Sequence, residues 1–298
     1  MKELEIAISR IQAGPQGPSV GAFFDFDGTL IDGYSAAEYF KERLRTRKIS
    51  LKEIVTGVGA SFKDIVDEAE FAELFKELIS EWAGNSEEEV RELWARLFIE
   101  RIAKRMFHEG YSLVQAHIRA GHTVAIASSA TRYQIESLAA EYDIEHILAT
   151  ELEVKRGIVN GKLIGEPLWG KNKAEAVRQF CKQKKISLTK SYGYANGDED
   201  IDFLCAVGLP TAVNPQQKLL VKAENTEWPV LNFDPRKRAP LKAVAGTIGA
   251  YSAMTATMLA GMAYNRFYNE PRRAADMIGT IGSELGLALA GIKVNIIN

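Results

Sequence analysis

Apolar and polar positions alternate in blocks along most of the chain. Apolar runs at 20–24, 123–129 ("TVAIASS"), 145–150 ("EHILAT") and 191–200 ("SYGYANGDED") stop in acids or small hydroxyl residues, and shorter runs follow at 210–214 and 228–233. Between them, apolar residues at three- and four-residue spacing predict helices over 109–120, 131–141, 171–184 and 200–207. This alternation predicts an α/β fold with a Rossmann-like parallel sheet covered by helices. Residues 151–165 alternate on either side of Asn160-Gly161 and read as a β-hairpin turning there.

Two stretches break the rhythm. Residues 34–108 are helical in pattern throughout, as in "FAELFKELISEW" and "VRELWARLFIERIAKRMF", and "SEEE" at 86–89 reads as a capping box. Trp82 and Trp94 are expected to pack between these helices. The division that follows is a short, partly mobile leader at 1–19, a core at 20–33 and 109–238, a helical insertion at 34–108, and a helical tail at 239–298. In the tail, 243–265 carries no charge and is long enough to cross a bilayer, but its Gly, Ala, Ser and Thr content makes it weakly hydrophobic. The expectation is a helix docked on protein or touching a membrane surface within 241–292, and Asp276 and Glu284 argue against a second span.

Composition changes this picture little. The formal net charge of -2 gives no reason to expect a nucleic-acid partner. Two cysteines, Cys181 and Cys205, suggest no disulfide framework, and the start lacks a secretory core. A cytoplasmic location follows, with peripheral contact at the inner membrane face as an option. The four histidines have no motif around them and are expected at the surface or in the core.

The chemistry gathers at strand ends, where parallel sheets bind ligands. Asp25, Asp27 and Thr29 follow the first run, Ser128 and Ser129 end the second, Lys173 opens a helix, and Asp198, Asp200 and Asp202 follow the fourth. Acids at one sheet edge suit Mg²⁺, which removes the repulsion between Asp25 and Asp27. A lysine and a hydroxyl there suit a phosphoryl group. Asp200 is read as a helix N-cap.

In order, "DFDGTL", "AIASS", "GKNK" and "GDEDID" resemble the four motifs of the haloacid dehalogenase superfamily. The helical insertion resembles the cap of the branch that contains phosphoserine phosphatase. That resemblance implies Asp25 as nucleophile, Asp27 as general acid and base, and Gly28 and Thr29 shaping the loop between them. It implies Ser128 (with Ser129 as the alternative) and Lys173 on the phosphoryl group. Asp25, the Asp27 carbonyl, Asp198 and Asp202 are implied around Mg²⁺. Dehalogenases lack the second acid, so Asp27 points to a phosphatase acting on a small phosphorylated substrate. Phosphoserine phosphatases of that branch carry a glutamate for the substrate ammonium shortly after the first motif. Here Tyr34 stands at that place, and Glu38, one turn later, is a partial substitute. Phosphoserine is therefore one alternative substrate; a non-catalytic scaffold and phosphotransfer to an acceptor alcohol are others. The tail, with "GTIGAYSAMTATMLAG" and "GIKVNIIN", resembles the start of a glycerolipid acyltransferase domain without its catalytic histidine and aspartate.

Overall fold

The computed structural model describes residues 2–46, 68–234 and 241–290. Residues 47–67 of the expected insertion and the "GIKVNIIN" segment at 291–298 lie outside them. Two units are present, 1–236 and 237–298. In the first, seven strands form one sheet in the order β4-β3-β2-β1-β5-β6-β7. They are β1 (Gly21–Phe24), β2 (Thr123–Thr131), β3 (His146–Lys155), β4 (Ile158–Ile164), β5 (Tyr192–Ala195), β6 (Leu209–Val213) and β7 (Val230–Leu231). Every pairing is parallel except β3 with β4. All four residues of β1 are buried, as expected for a strand covered on both faces. The chain leaves β1 to one side through β2 and to the other through β5, so the edge beyond β1 is the topological switch point where such sheets bind ligands.

The expectation of a mobile leader at 1–19 is corrected. Residues Lys2–Ala13 form α1, with Ile11 fully buried and Leu4, Ala7 and Ile8 packed on the core. Its exit is tied to the sheet by a buried relay in which His122 Nε2 lies 2.8 Å from the Pro15 carbonyl, the Nδ1 atoms of His117 and His122 are 2.8 Å apart, and His117 Nε2 is 2.8 Å from the Tyr194 hydroxyl. A carbonyl only accepts, so His122 Nε2–H donates to it, His117 Nδ1–H donates to His122, and Tyr194 O–H donates to His117. Both rings are neutral in this arrangement, and burial holds both below the usual histidine value. A depressed folded-state value gives a contribution that is present above pH 6.5 and lost on acidification, because only the unfolded chain takes up the proton. Each such proton lowers stability by about 1.4 kcal/mol per pH unit below about pH 6.5. Urea unfolding of wild type and His117→Gln between pH 5 and 8 is expected to show a shallower acid slope in the variant; parallel slopes contradict the relay.

Between β1 and β2 lie α2 (Ser35–Arg45), α3 (Glu68–Ser80) and α4 (Glu87–Leu97), followed by a π-helical segment at Phe98–Ile102 and then α5 (His108–Arg119). The capping box at α4 is formed: Ser86 Oγ accepts from the Glu89 N–H at 3.1 Å and Ser86 N–H donates to Glu89 Oε2 at 2.8 Å. Glu42 of α2 accepts from Arg96 at 2.9 Å and from Arg101 at 3.0 Å, tying α2 to α4 and its continuation. The hairpin exists, but its turn is corrected to Arg156-Gly157. Both residues have positive φ (55° and 76°), as a two-residue type I′ connection requires. Asn160-Gly161 lies inside β4, at the register shift against β3, where Asn160 Oδ1 accepts from the Lys162 N–H.

The later strands are joined by α6 (Arg132–Glu141), α7 (Lys171–Lys184), α8 (Ile201–Ala206) and α9 (Gln217–Asn225). The second unit holds α10 (Leu241–Tyr268) and α11 (Pro271–Ala290), packed on each other. Small residues permit that packing: a Cβ on buried Gly261 would sit 2.5 Å from Ile278. Met254, Met258, Leu259 and Met262 are exposed on α10. Among the described residues, no helix is long and apolar enough to cross a membrane.

Candidate active site

β1 ends at Phe24, and Asp25, the next residue, donates its N–H to the Tyr194 carbonyl of β5 at 2.8 Å. This holds the Asp25 side chain, 5% exposed, at the switch point. The chain then reverses through Gly28, whose φ is +77° and whose missing Cβ leaves room for the Asn196 side chain. A side chain there would be strained by the backbone and would collide with Asn196. The turn brings Asp27 to the start of α2, where its Oδ1 accepts from the Ser35 N–H at 2.7 Å and its Oδ2 from the Ser35 hydroxyl at 3.1 Å. Burial pushes the Asp27 carboxyl up to about 7; the Asp25 charge adds to this, while the Ser35 N–H opposes it.

Lys173 enters from the first turn of α7 and is 2% exposed. Its Nζ donates to Asp25 Oδ1 at 2.8 Å and to Asp200 Oδ1 at 2.6 Å. Burial works against its charge, but Asp200 and Asp25 outweigh burial, and the net shift is upward. Burial likewise raises the Asp200 carboxyl, with Lys173 opposing. Lys171, two residues earlier, is exposed.

The acids after β5 are reassigned by two residues. Asp198 turns away: its Oδ1 accepts from the Leu219 N–H of α9 at 2.8 Å. Asp202 is exposed on α8. Their places are taken by Asn196, the first residue after β5, and by Asp200. Asn196 Oδ1 lies 3.3 Å from Thr29 Oγ1, which also reaches Asp25 Oδ2 at 3.4 Å. The N-cap reading of Asp200 is corrected as well, since its side chain makes no capping bond and bonds Lys173 instead. Thr29 and Gly28 are thus built into the loop behind Asp25 and do not line the cavity above it.

That cavity, about 780 Å³ with its open mouth included, is lined by Asp25, Asp27, Lys173, Ser129, Tyr34 and Glu199 on the sheet side. Ser128 is buried one residue earlier, where its Oγ accepts from the Ala130 N–H at 3.2 Å, leaving the hydroxyl proton to donate. The structure therefore keeps both serines at the end of β2 and gives the cavity wall to Ser129. Tyr34 accepts from Gln216 Nε2 at 3.2 Å, and burial raises its phenol to about 12. Glu38 is not in the cavity: Arg105 and Lys41 each hold it at 2.7 Å. Burial opposes its ionisation, but these cations keep its carboxyl below the ordinary value. Trp82 and Trp94, expected only as packing residues, line the cavity. Trp94 has the spacing of a core residue on α4 and Trp82 lies just past the end of α3, so no sequence signal separated the two roles.

Residues 22–204 match the family described as haloacid dehalogenase-like hydrolase. The chain belongs to this family. It is 29% identical over 233 residues to the phosphoserine phosphatase SerB1 of Mycobacterium tuberculosis, covering 74% of this chain and 73% of that protein. It is 27% identical over 217 residues to a histidinol-phosphatase of Neisseria meningitidis, covering 71% and 98%. Among solved structures, a protein from Bordetella pertussis superposes with a TM-score of 0.61 at 22% identity, covering 71% of this chain and 98% of that one. A phosphoserine phosphatase carrying a phospho-aspartyl intermediate analogue superposes with a TM-score of 0.54 at 19% identity, covering 73% and 95%. The structural likenesses show that this hydrolase has the fold of those proteins.

The acids can be tested for a cation. Among the described residues, no three Asp, Glu, His or Cys side chains are gathered as a ready cage. Asp200 Oδ2, however, is buried without a hydrogen-bond partner among the described residues, and Lys173 faces Asp25 and Asp200 together. Two carboxylates and one amide oxygen suit Mg²⁺, which keeps several of its waters.

Proposed function

We propose that this hydrolase cleaves phosphomonoesters through a phosphorylated Asp25. The observation that carries the reading is the separation of the two aspartates. Asp25 is held by Lys173 and the Thr29 hydroxyl, whereas Asp27 is held by α2 and is raised toward neutrality. Asp25 supplies the attacking oxygen, and Asp27 carries a proton near pH 7. An Asp25 oxygen bonds to phosphorus while the ester P–O bond breaks, and Asp27 gives its proton to the leaving alkoxide. Asp27, now ionised, takes a proton from water, which attacks the aspartyl phosphate and releases phosphate and free Asp25. Lys173 and the hydroxyls at the end of β2 offset charge on the phosphoryl oxygens.

Mg²⁺, when bound, supplies further positive charge to the phosphoryl group. Asp25, the Asp27 main-chain carbonyl, Asn196 and Asp200 are the groups proposed to hold it. Glu38, already held by Arg105 and Lys41, does not support a phosphoserine-type ammonium site.

The pH profile tests the assignment of Asp27. An alkyl phosphate needs the Asp27 proton to expel its alkoxide, so kcat/KM is expected to fall above pH about 7, about tenfold per unit at the limit. 4-Nitrophenyl phosphate, whose leaving group needs no proton, is expected to fall less steeply. Superimposable profiles for the two substrates contradict the role of Asp27.

A further inference from the structure

The cavity above the acids has walls of a distinct kind. On one side Tyr39, Trp82 and Trp94 form a cluster, with Tyr39 and Trp94 stacked at 5.7 Å and Tyr39 and Trp82 edge to face at 5.6 Å. The others, Phe71, Phe75 and Trp169, are stacked in sequence, Phe71 at 5.5 Å from Phe75 and 5.1 Å from Trp169. All six line the cavity. The lining given by the described residues holds one cation, Lys173, already shared between Asp25 and Asp200. Nothing in that lining balances a substrate carboxylate.

A second observation is independent of this apolar character. Trp94 is 2% exposed, and its Nε1–H has no acceptor among the described residues, whereas the Trp82 Nε1–H donates to the Tyr39 hydroxyl at 2.8 Å. An unmet buried donor is costly, and a ligand acceptor relieves that cost. Aromatic walls favour a flat ring over a flexible chain, because ring pairs gain from stacking beyond the area they bury.

We propose that the alcohol part of the substrate carries a flat aromatic or heteroaromatic ring with a hydrogen-bond acceptor, seated among these six residues with the acceptor on Trp94 Nε1–H. The proposal rests on the phosphomonoesterase reading above. The phosphoryl group lies on Asp25 and Lys173, and the ring fills the aromatic part of the same cavity.

The test compares kcat/KM for pyridin-3-ylmethyl, benzyl and hexyl phosphates and O-phosphoserine, with acetyl phosphate as a substrate that needs no alcohol pocket. Benzyl phosphate is expected to exceed hexyl phosphate and phosphoserine by about tenfold, and the pyridyl ester to exceed benzyl by about fivefold. Trp94→Phe keeps a ring and removes the donor; it is expected to bring the pyridyl ester down to the benzyl ester. Trp169→Leu, from the other group of rings, is expected to bring benzyl down to hexyl, and thermal melts check that each variant is folded. Acetyl phosphate turnover with hexyl phosphate or phosphoserine equal to or better than benzyl overturns the ring assignment alone. No release of phosphate from any of the five overturns the phosphomonoesterase reading, and this proposal with it.

Discussion

Replacing Asp25 by asparagine is expected to reduce turnover at least about a thousandfold, the scale on which loss of an essential nucleophile acts. The fold is expected to survive. The asparagine amide oxygen still accepts from Lys173 Nζ, and the Asp25 N–H bond to the Tyr194 carbonyl uses only the backbone. Stability is expected to hold or rise, because one of several crowded carboxylates is removed from beside Asp27, Glu199 and Asp200. Thermal melts and initial rates on one preparation check both parts. Loss of activity together with a collapsed melting temperature contradicts a purely chemical role for Asp25.

Lys173→Met acts on stability as well as rate. It leaves Asp25 and Asp200 buried beside each other with no counter-charge from the chain. Breaking a buried ion pair from one side costs about 3–5 kcal/mol. The loss should depend on pH in a defined direction. Burial raises the Asp200 carboxyl and Lys173 opposes that, so removing the lysine raises it further. The penalty is therefore small when Asp200 is protonated and grows as pH rises through its folded value. Urea unfolding is expected to show a larger deficit for the variant at pH 8 than at pH 5. A deficit equal at both contradicts the buried triad of Asp25, Lys173 and Asp200. The phosphatase rate is expected to fall at least about a hundredfold, the scale of removing one preorganised charge partner of a transition state.

The sheet was legible from sequence because covered strands and amphipathic helices have different periods, and each apolar run from 20–24 to 210–214 became a strand. Asp25, Asp27 and Lys173 were legible for a related reason: each lies within three residues of an element end. The register after β5 was not. Asn196, Asp198, Asp200 and Asp202 are all polar and two apart, and nothing in "YANGDED" says where the strand stops. Once β5 ends at Ala195, Asn196 meets Thr29, Asp200 meets the lysine, and Asp198 is left to accept from the start of α9. The hairpin turn was misplaced because Asn-Gly is the stronger turn signal, yet Arg156-Gly157 takes the positive φ pair while Asn160 is used inside β4. α1 was missed because only Ile11 is fully buried, and its anchor is a histidine relay from residues a hundred positions away. The aromatic cavity wall depends on side-chain direction, which periodicity does not carry.

The account centres on a phosphoryl group passing through Asp25, and trapping that species tests it most directly. The enzyme would be quenched in acid during turnover of an alkyl phosphate, reduced with borohydride and digested. The account predicts homoserine at position 25 and none in Asp25→Asn. Phosphate release with position 25 unmodified, or with the modification at Asp27 or Asp200, contradicts it.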